Sequence, residues 1–190
     1  MKLDTVDHLD ELGFFQKDFI VCDIGSGMGY IPKYTMKHKK PIWYHGFDVM
    51  LSNIKHCRNI CNDIRYQFTY LPYYSDAYNP MGLLNAKDFK IKLPSGSVDS
   101  VICHSLFTHL STEDVARSYM QEIRRVLRPG GLLWITFFSS PPNETCDGTK
   151  RTVYSMEFIE TLLVGFENIK SSGGFTTDYH DQLEISCVKA

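Results

Sequence analysis

The residues able to do chemistry in this chain stand at the ends of apolar runs. Asp23 closes the run Phe19-Ile20-Val21-Cys22, and Gly25, Gly27 and Gly29 follow at alternate positions, with Ser26 between the first two. Glycine permits positive φ and carries no Cβ to hold a ligand away from the backbone. The turn therefore reads as one that a ligand approaches closely, and Asp23 is the first polar group such a ligand would meet. A dinucleotide fingerprint would be spaced G-x-G-x-x-G, but the third glycine comes one residue early and Tyr30 takes its place, which favours a ligand without a pyrophosphate. About twenty residues after the glycines, Asp48 ends the run Ile42-Trp43-Tyr44-His45-Gly46-Phe47. Nucleotide-binding α/β folds set a carboxylate there against the ribose hydroxyls, while a helix N-cap is the other role open to it. His104 and His109 lie just beyond a further apolar run. Their imidazoles could move a proton near neutral pH, although a histidine at 109 could instead cap the next helix or pair with Glu113. His180 is a weaker third candidate, and no constellation of carboxylates indicates a catalytic metal.

Alternating strands and helices must hold these residues. Strands are expected at 19–24, 42–48, 65–70, 98–104, 132–138, 168–171 and 183–188, with helices over 31–40, 52–61, after Ser111 and after Ser155. Ser111-x-x-Asp114 reads as a variant capping box, and Arg128-Pro129-Gly130-Gly131 ends the helix it starts. Val6, Leu9 and Leu12 recur at helical spacing, so 1–16 reads as a small N-terminal helical cap. Right-handed crossovers make strands one to five parallel and bring their C-terminal ends to one edge. That edge collects the glycine turn, Asp48, the aromatic and proline-rich segment Leu71–Gly82, the histidines, and 139–152, a polar breaker-rich stretch read as a candidate lid.

Length and composition suit one domain over 1–190. A net charge of −2 gives no electrostatic footprint for nucleic acid or anionic membrane. No apolar stretch has the length of a membrane span, and the first residues lack the apolar core of a secretion signal, so a cytoplasmic location is expected. Six scattered cysteines read as reduced and largely core residues. His56, Cys57 and Cys61 could meet across a helical turn as metal ligands, but no second pair stands at zinc spacing, and core packing is the preferred role.

Asp23-Ile24-Gly25-Ser26-Gly27-Met28-Gly29 matches the D-x-G-x-G-x-G motif of the class I S-adenosylmethionine-dependent methyltransferases, which this chain resembles from about Phe19 to Val188. Tyr78-Asn79-Pro80-x-Gly82, followed by Leu93-Pro94-Ser95-Gly96-Ser97-Val98-Asp99-Ser100-Val101, resembles a branch of small methyltransferases often associated with glycan biosynthesis, while Ser105-Leu106-Phe107-Thr108-His109-Leu110 and the late run from Leu127 to Thr136 resemble further motifs of the family, the last with a structural role. The resemblance implies a Rossmann-like α/β fold, a doubly wound, mostly parallel seven-stranded sheet with helices on both faces. It implies S-adenosylmethionine as cofactor, held by Asp23, Gly25, Ser26, Gly27 and Gly29 in the turn and by Asp48 at the ribose. Val49, Met50 and Leu71 would pack about the adenine, with Cys103 and His104 toward the methionine end. The branch normally carries an acid just after strand three for the adenine amino group, and Pro72 stands in its place. Backbone near Leu71 or a shifted Asp88 would have to serve instead. The activity implied is in-line transfer of the sulfonium methyl to an acceptor, a sugar or small-molecule hydroxyl, with His109 or His104 as base. The small cap suggests an open site, which a partner or a second copy of the chain in a homodimer could close. A non-catalytic binding protein on the same scaffold and a nicotinamide-dependent oxidoreductase remain as rivals.

Overall fold

The computed structural model describes residues 3–140, 151–173 and 182–190. A mixed sheet forms the frame. Its strands are β1 (Ile20–Ile24), β2 (Trp43–Asp48), β3 (Tyr66–Tyr70), β4 (Val98–Cys103), β5 (Leu127–Ser140), β6 (Val153–Ser155), β7 (Phe166–Ser172) and β8 (Leu183–Lys189). They lie in the order β3-β2-β1-β4-β5-β8-β7, with the short β6 paired to the end of β5. β1 to β5 run parallel, and β8 runs antiparallel between β5 and β7. The seven expected strands are all present, and β6 is an eighth, three residues long, whose signal in the sequence is too short to stand out.

The chain crosses from β3 back over the sheet to β4, so the strand order reverses between β1 and β4. Open α/β sheets bind ligands outside the carboxyl ends of the strands at such a reversal. Helices α1 (Leu3–Glu11), α2 (Tyr30–Lys37) and α3 (Leu51–Ile60) share one apolar cluster with Val21, Tyr44, Phe68, Ile102 and Trp134. Helices α4 (Glu113–Val126) and α5 (Met156–Leu163) cover the opposite face, built on Cys22, Phe47, Val101, Cys103, Leu133 and Ile135. Successive side chains of a strand point to opposite faces, and this alternation sets which residues of β1 and β4 can reach the edge.

Two boundaries differ from the expected ones. Thr112, not Ser111, caps α4, its hydroxyl accepting the Val115 N–H at 3.3 Å; one residue of slip moves the box off Ser111-x-x-Asp114. The segment Leu127–Gly131 does end the helix, but it is already strand. β5 pairs with β4 at Leu127, and the register then shifts between Val98 and Ser100 as the Pro-Gly-Gly turn bulges, with Gly130 at φ 70°. Ser155 caps α5 as expected, accepting from Phe158 N–H at 3.2 Å. Of the candidate lid, Ser139 and Ser140 belong to β5 and Thr152 donates its N–H to the Thr108 carbonyl at 2.8 Å; positions 141–150 lie outside the described residues, as does His180. Among the described residues no helix is long and apolar enough to cross a membrane.

Candidate functional site

The turn after β1 holds Gly25, Gly27 and Gly29 at φ 84°, 53° and 76°. Gly29 opens α2 and is also a close approach, since a Cβ there would lie 3.0 Å from the Cys57 sulfur on α3. The turn is tied to the end of β2. Gly25 and Ser26 donate their N–H groups to the Phe47 carbonyl at 2.8 and 3.0 Å, and Gly27 N–H reaches Asp48 Oδ2 at 2.8 Å. Asp48 also accepts from Met50 N–H at 2.7 Å and from Asn53 Nδ2 at 3.3 Å. It thus orients the start of α3 from two residues ahead, while Met50 holds the N-cap position.

A cavity of about 270 Å³ opens at this edge, between the β1 and β4 ends, close to the lower end of the range for small-molecule sites. Gly25, Gly27, Asp48, Val49, Met50, Leu71, His104 and His109 line it. These eight sequence candidates are brought together. Asp23, Ser26, Gly29 and Cys103 do not line it. Asp23 shares the strand face of Val21 and Tyr44, and its carboxylate is buried beneath the turn, accepting the Tyr44 hydroxyl at 2.5 Å. Burial pushes this carboxyl up to about 7 against the pull of that hydrogen bond, and the nearby Asp48 charge raises it further. In this arrangement the carboxylate supports the turn from below rather than lining the cavity. Cys103 faces the α4–α5 core, where burial holds its thiol well above the ordinary range. Cys57 donates to the Gly27 carbonyl at 3.4 Å, a packing contact of α3 against the turn.

The segment after β3 forms the outer wall. Tyr74, Ser75, Asp76 and Tyr78 line the cavity, and the Tyr-Asn-Pro-x-Gly motif explains why they stay there. Asn79 Nδ2 donates to the Tyr73 carbonyl at 2.9 Å and the Tyr70 hydroxyl at 3.3 Å. Gly82 passes so close that a Cβ would sit 2.4 Å from the Tyr73 carbonyl. Tyr78 then reaches across to the loop after β4, its hydroxyl 3.0 Å from His109 Nε2 and the two rings edge to face at 4.9 Å. Asp88, the shifted counterpart considered for adenine, is exposed and does not line the cavity, whereas Leu71 does.

His104 leaves β4 on the Trp134 side, its ring lying parallel to the indole at 6° and 5.6 Å. Burial lowers its imidazole to about 4. Ser105 follows with φ 51°, donating its N–H to Thr136 Oγ1 at 2.7 Å. Sequence reasoning placed Asp76, Tyr78 and Ser105 at the ligand edge only as parts of longer stretches, and did not single out Asn53 or the α4 pair Val115 and Tyr119 as lining residues. The i, i+4 spacing of Val115 and Tyr119 marked them only as the inward face of α4, which here doubles as the cavity wall.

The sequence profile of the family described as "Methyltransferase domain" matches residues 22–135. Solved structures agree on the fold. A SAM-dependent methyltransferase from Aquifex aeolicus superposes with a TM-score of 0.63 at 18% identity, covering 98% of this chain and 90% of that one. One from Methanosarcina mazei gives 0.66 at 15%, covering 94% and 95%. The 1,6-didemethyltoxoflavin-N1-methyltransferase of Burkholderia thailandensis, solved with 1,6-didemethyltoxoflavin and S-adenosylhomocysteine, gives 0.68 at 15%, covering 99% and 77%. With the profile spanning more than half of its length, from β1 through the strand that follows α4, the chain belongs to the methyltransferase-domain family, whose cofactor is S-adenosylmethionine.

Proposed function

We propose that the cavity between the β1 and β4 ends holds S-adenosylmethionine and that the protein methylates a hydroxyl of a small-molecule or sugar acceptor. The observation that carries this reading is the convergence of the glycine turn, the Asp48 carboxylate and two histidines on one cavity. The residues present fit the cofactor. A carboxylate offers about four lone-pair sites, and Asp48 uses three of them on Gly27, Met50 and the long Asn53 contact. Displacing Asn53 would leave two sites for the ribose diol. Val49, Met50 and Leu71, with Phe89, Val115 and Tyr119 behind them, make the apolar wall that an adenine ring requires. Backbone near Leu71, at the cavity wall, would meet its amino group, and Gly25 with His104 would border the methionine end.

When bound, S-adenosylmethionine supplies a methyl already activated on a sulfonium, so that orienting the acceptor in line is most of the catalysis. The chain's own task is then to align the acceptor and take its proton. His104, held down to about 4, is neutral at pH 7 and too weakly basic to keep a proton. His109, joined to Tyr78 at the cavity wall, is the better placed base. The Burkholderia neighbour, an N1-methyltransferase solved with 1,6-didemethyltoxoflavin, supports a small molecule as the partner.

Titration calorimetry with S-adenosylhomocysteine tests the cofactor site, with NADH as control. Micromolar binding is expected, weakened about tenfold or more in Asp48→Ala because hydrogen bonds to a charged group contribute about 1.5–3 kcal/mol each. Absence of binding, or equal binding by the variant, overturns the assignment. Transfer of labelled methyl to hydroxyl acceptors then separates an enzyme from a binding protein.

A further inference from the structure

Tyr78 and His109 meet at the cavity wall, which both of them line, from two loops that are fastened separately. Tyr78 opens the Tyr-Asn-Pro-x-Gly motif, and the chain around it is clasped. Ser75 and Asn79 exchange backbone hydrogen bonds at 3.1 and 3.0 Å, Asn79 Nδ2 holds the Tyr73 carbonyl, and Gly82 lies against the Tyr73 backbone. His109 ends a single helical turn, Phe107–His109, whose other two residues are fully buried. Thr108 anchors that turn, donating its hydroxyl to the Ser105 carbonyl at 2.7 Å and accepting the Thr152 N–H on its own carbonyl at 2.8 Å. Each loop therefore has fastenings of its own, apart from the contact between the two rings.

That contact brings the phenol oxygen to 3.0 Å from His109 Nε2, with the rings edge to face. Two polarities are open to it, the phenol donating to Nε2 or Nε2–H donating to the phenol. A neutral imidazole has one protonated nitrogen and one lone pair. With the phenol as donor, the basic lone pair of His109 is engaged by Tyr78. While the contact stands, a proton leaving the acceptor then reaches His109 by way of the phenol oxygen.

We propose that Tyr78 is a catalytic residue, the group that takes the acceptor's proton while passing its own to His109. This rests on the reading of the protein as a hydroxyl methyltransferase and adds the path of the proton to it. As the acceptor oxygen bonds the methyl carbon, the electron pair of the broken carbon–sulfur bond stays on sulfur. The acceptor's O–H proton moves to the Tyr78 oxygen, and the Tyr78 proton moves to Nε2. The phenol is regenerated beside an imidazolium, which gives its proton to water. Phenols are stronger acids than aliphatic hydroxyls and weaker than imidazolium, so Tyr78 stands between acceptor and base in the order such a transfer requires. The clasp of the Tyr-Asn-Pro-x-Gly motif sets that phenol opposite the base.

The first test needs no acceptor. The full chain, carrying isotope-labelled histidine and saturated with S-adenosylhomocysteine, is studied by NMR in alkaline buffer, where imidazoles are neutral, with His109→Gln to assign the signals. Nδ1 is expected to carry the proton and Nε2 to show the shift of an unprotonated, hydrogen-bonded nitrogen, which Tyr78→Phe should displace. A protonated Nε2, or a His109 spectrum unchanged in Tyr78→Phe, overturns the proposal. The second test follows single-turnover transfer of labelled methyl to ribitol, methyl glucoside and benzyl alcohol in mixtures of light and heavy water. The rate should bow with deuterium content because two protons are in flight. Tyr78→Phe should be slower by about a hundredfold, with a straight-line dependence and with S-adenosylhomocysteine affinity retained, which also shows that the variant is folded. A straight line for the unaltered chain, or an unchanged rate in the variant, overturns the proposal. No binding of S-adenosylhomocysteine, or no transfer to any of the three acceptors, counts instead against the reading on which it rests, and the His109 spectrum keeps the two failures apart.

Discussion

Asp23 shows how far a single residue can be read from its motif and where that reading stops. Its type and position beside the glycines marked it as a ligand contact, yet its face of the strand directs the carboxylate to Tyr44 under the turn. Because burial raises its folded-state pKa to about 7 from an ordinary 3.8, the folded protein holds this proton more tightly than the unfolded chain does. The resulting stability is fully present below about pH 4 and is lost as pH rises toward 7. Urea titrations should show Asp23→Asn gaining on the unaltered protein by roughly 2–3 kcal/mol between pH 5 and pH 8. A difference that stays constant across those pH values would place the proton elsewhere. Asp48, two strand positions farther toward the edge than the Asp23 partner Gly46, instead reaches the cavity.

At the level of elements, the loop from Leu71 to Asn85 replaces regular structure with close contacts of its own. Leu84 N–H donates to the Pro72 carbonyl and Tyr74 N–H to the Leu84 carbonyl, while Tyr73 spans to Lys90, accepting its N–H at 2.8 Å. This fastening is what keeps Tyr74, Asp76 and Tyr78 at the cavity wall. Gly82→Ala would drive a methyl into the Tyr73–Tyr74 backbone, which cannot yield as a side chain end could. A loss of about 1–3 kcal/mol in stability is expected, together with weaker S-adenosylhomocysteine binding because the wall shifts. Calorimetric melting and titration of the same sample would check both, and a neutral outcome would mean that the loop is not held at this point. The Tyr-Asn-Pro-x-Gly motif was visible in the sequence, but its function as a clasp depends on partners three to nine residues away that alternation and periodicity do not reveal.

Across the whole molecule, one buried carboxylate joins the two halves of the outer wall. Glu122 of α4 is fully buried and meets Arg125 at 2.6 Å, the Ile91 N–H at 2.9 Å and Lys90 at 3.0 Å. Burial alone would raise its carboxyl, but these donors outweigh it and hold it down to about 2. The contribution is therefore present above the unfolded value near 4.5 and disappears as pH falls toward 2. Glu122→Gln should lower stability at pH 7 by about 1–3 kcal/mol and flatten the acid limb of the stability profile. An acid limb unchanged in the variant would assign acid unfolding to other carboxylates. Asp23 and Glu122 thus tilt the pH profile in opposite directions, one from beneath the glycine turn and the other from behind the cavity.

The order of strands and helices, the parallel edge and the placing of the glycine turn, Asp48 and the histidines at it were all determined by local sequence. Apolar runs of strand length, glycines requiring positive φ and right-handed crossovers act over short stretches and leave few alternatives. Which of those edge residues meet the cavity was decided only by tertiary structure. Depth below the strand end buried Asp23, strand alternation turned Cys103 into the core, and the β3–β4 loop folded back to bring Tyr78 to His109. The row of Trp134, Ser186 and Lys170 likewise exists only because β8 runs antiparallel between β5 and β7, joining three distant parts of the chain. Such contacts depend on register and on the packing of whole elements, and neither is written in any one stretch of residues.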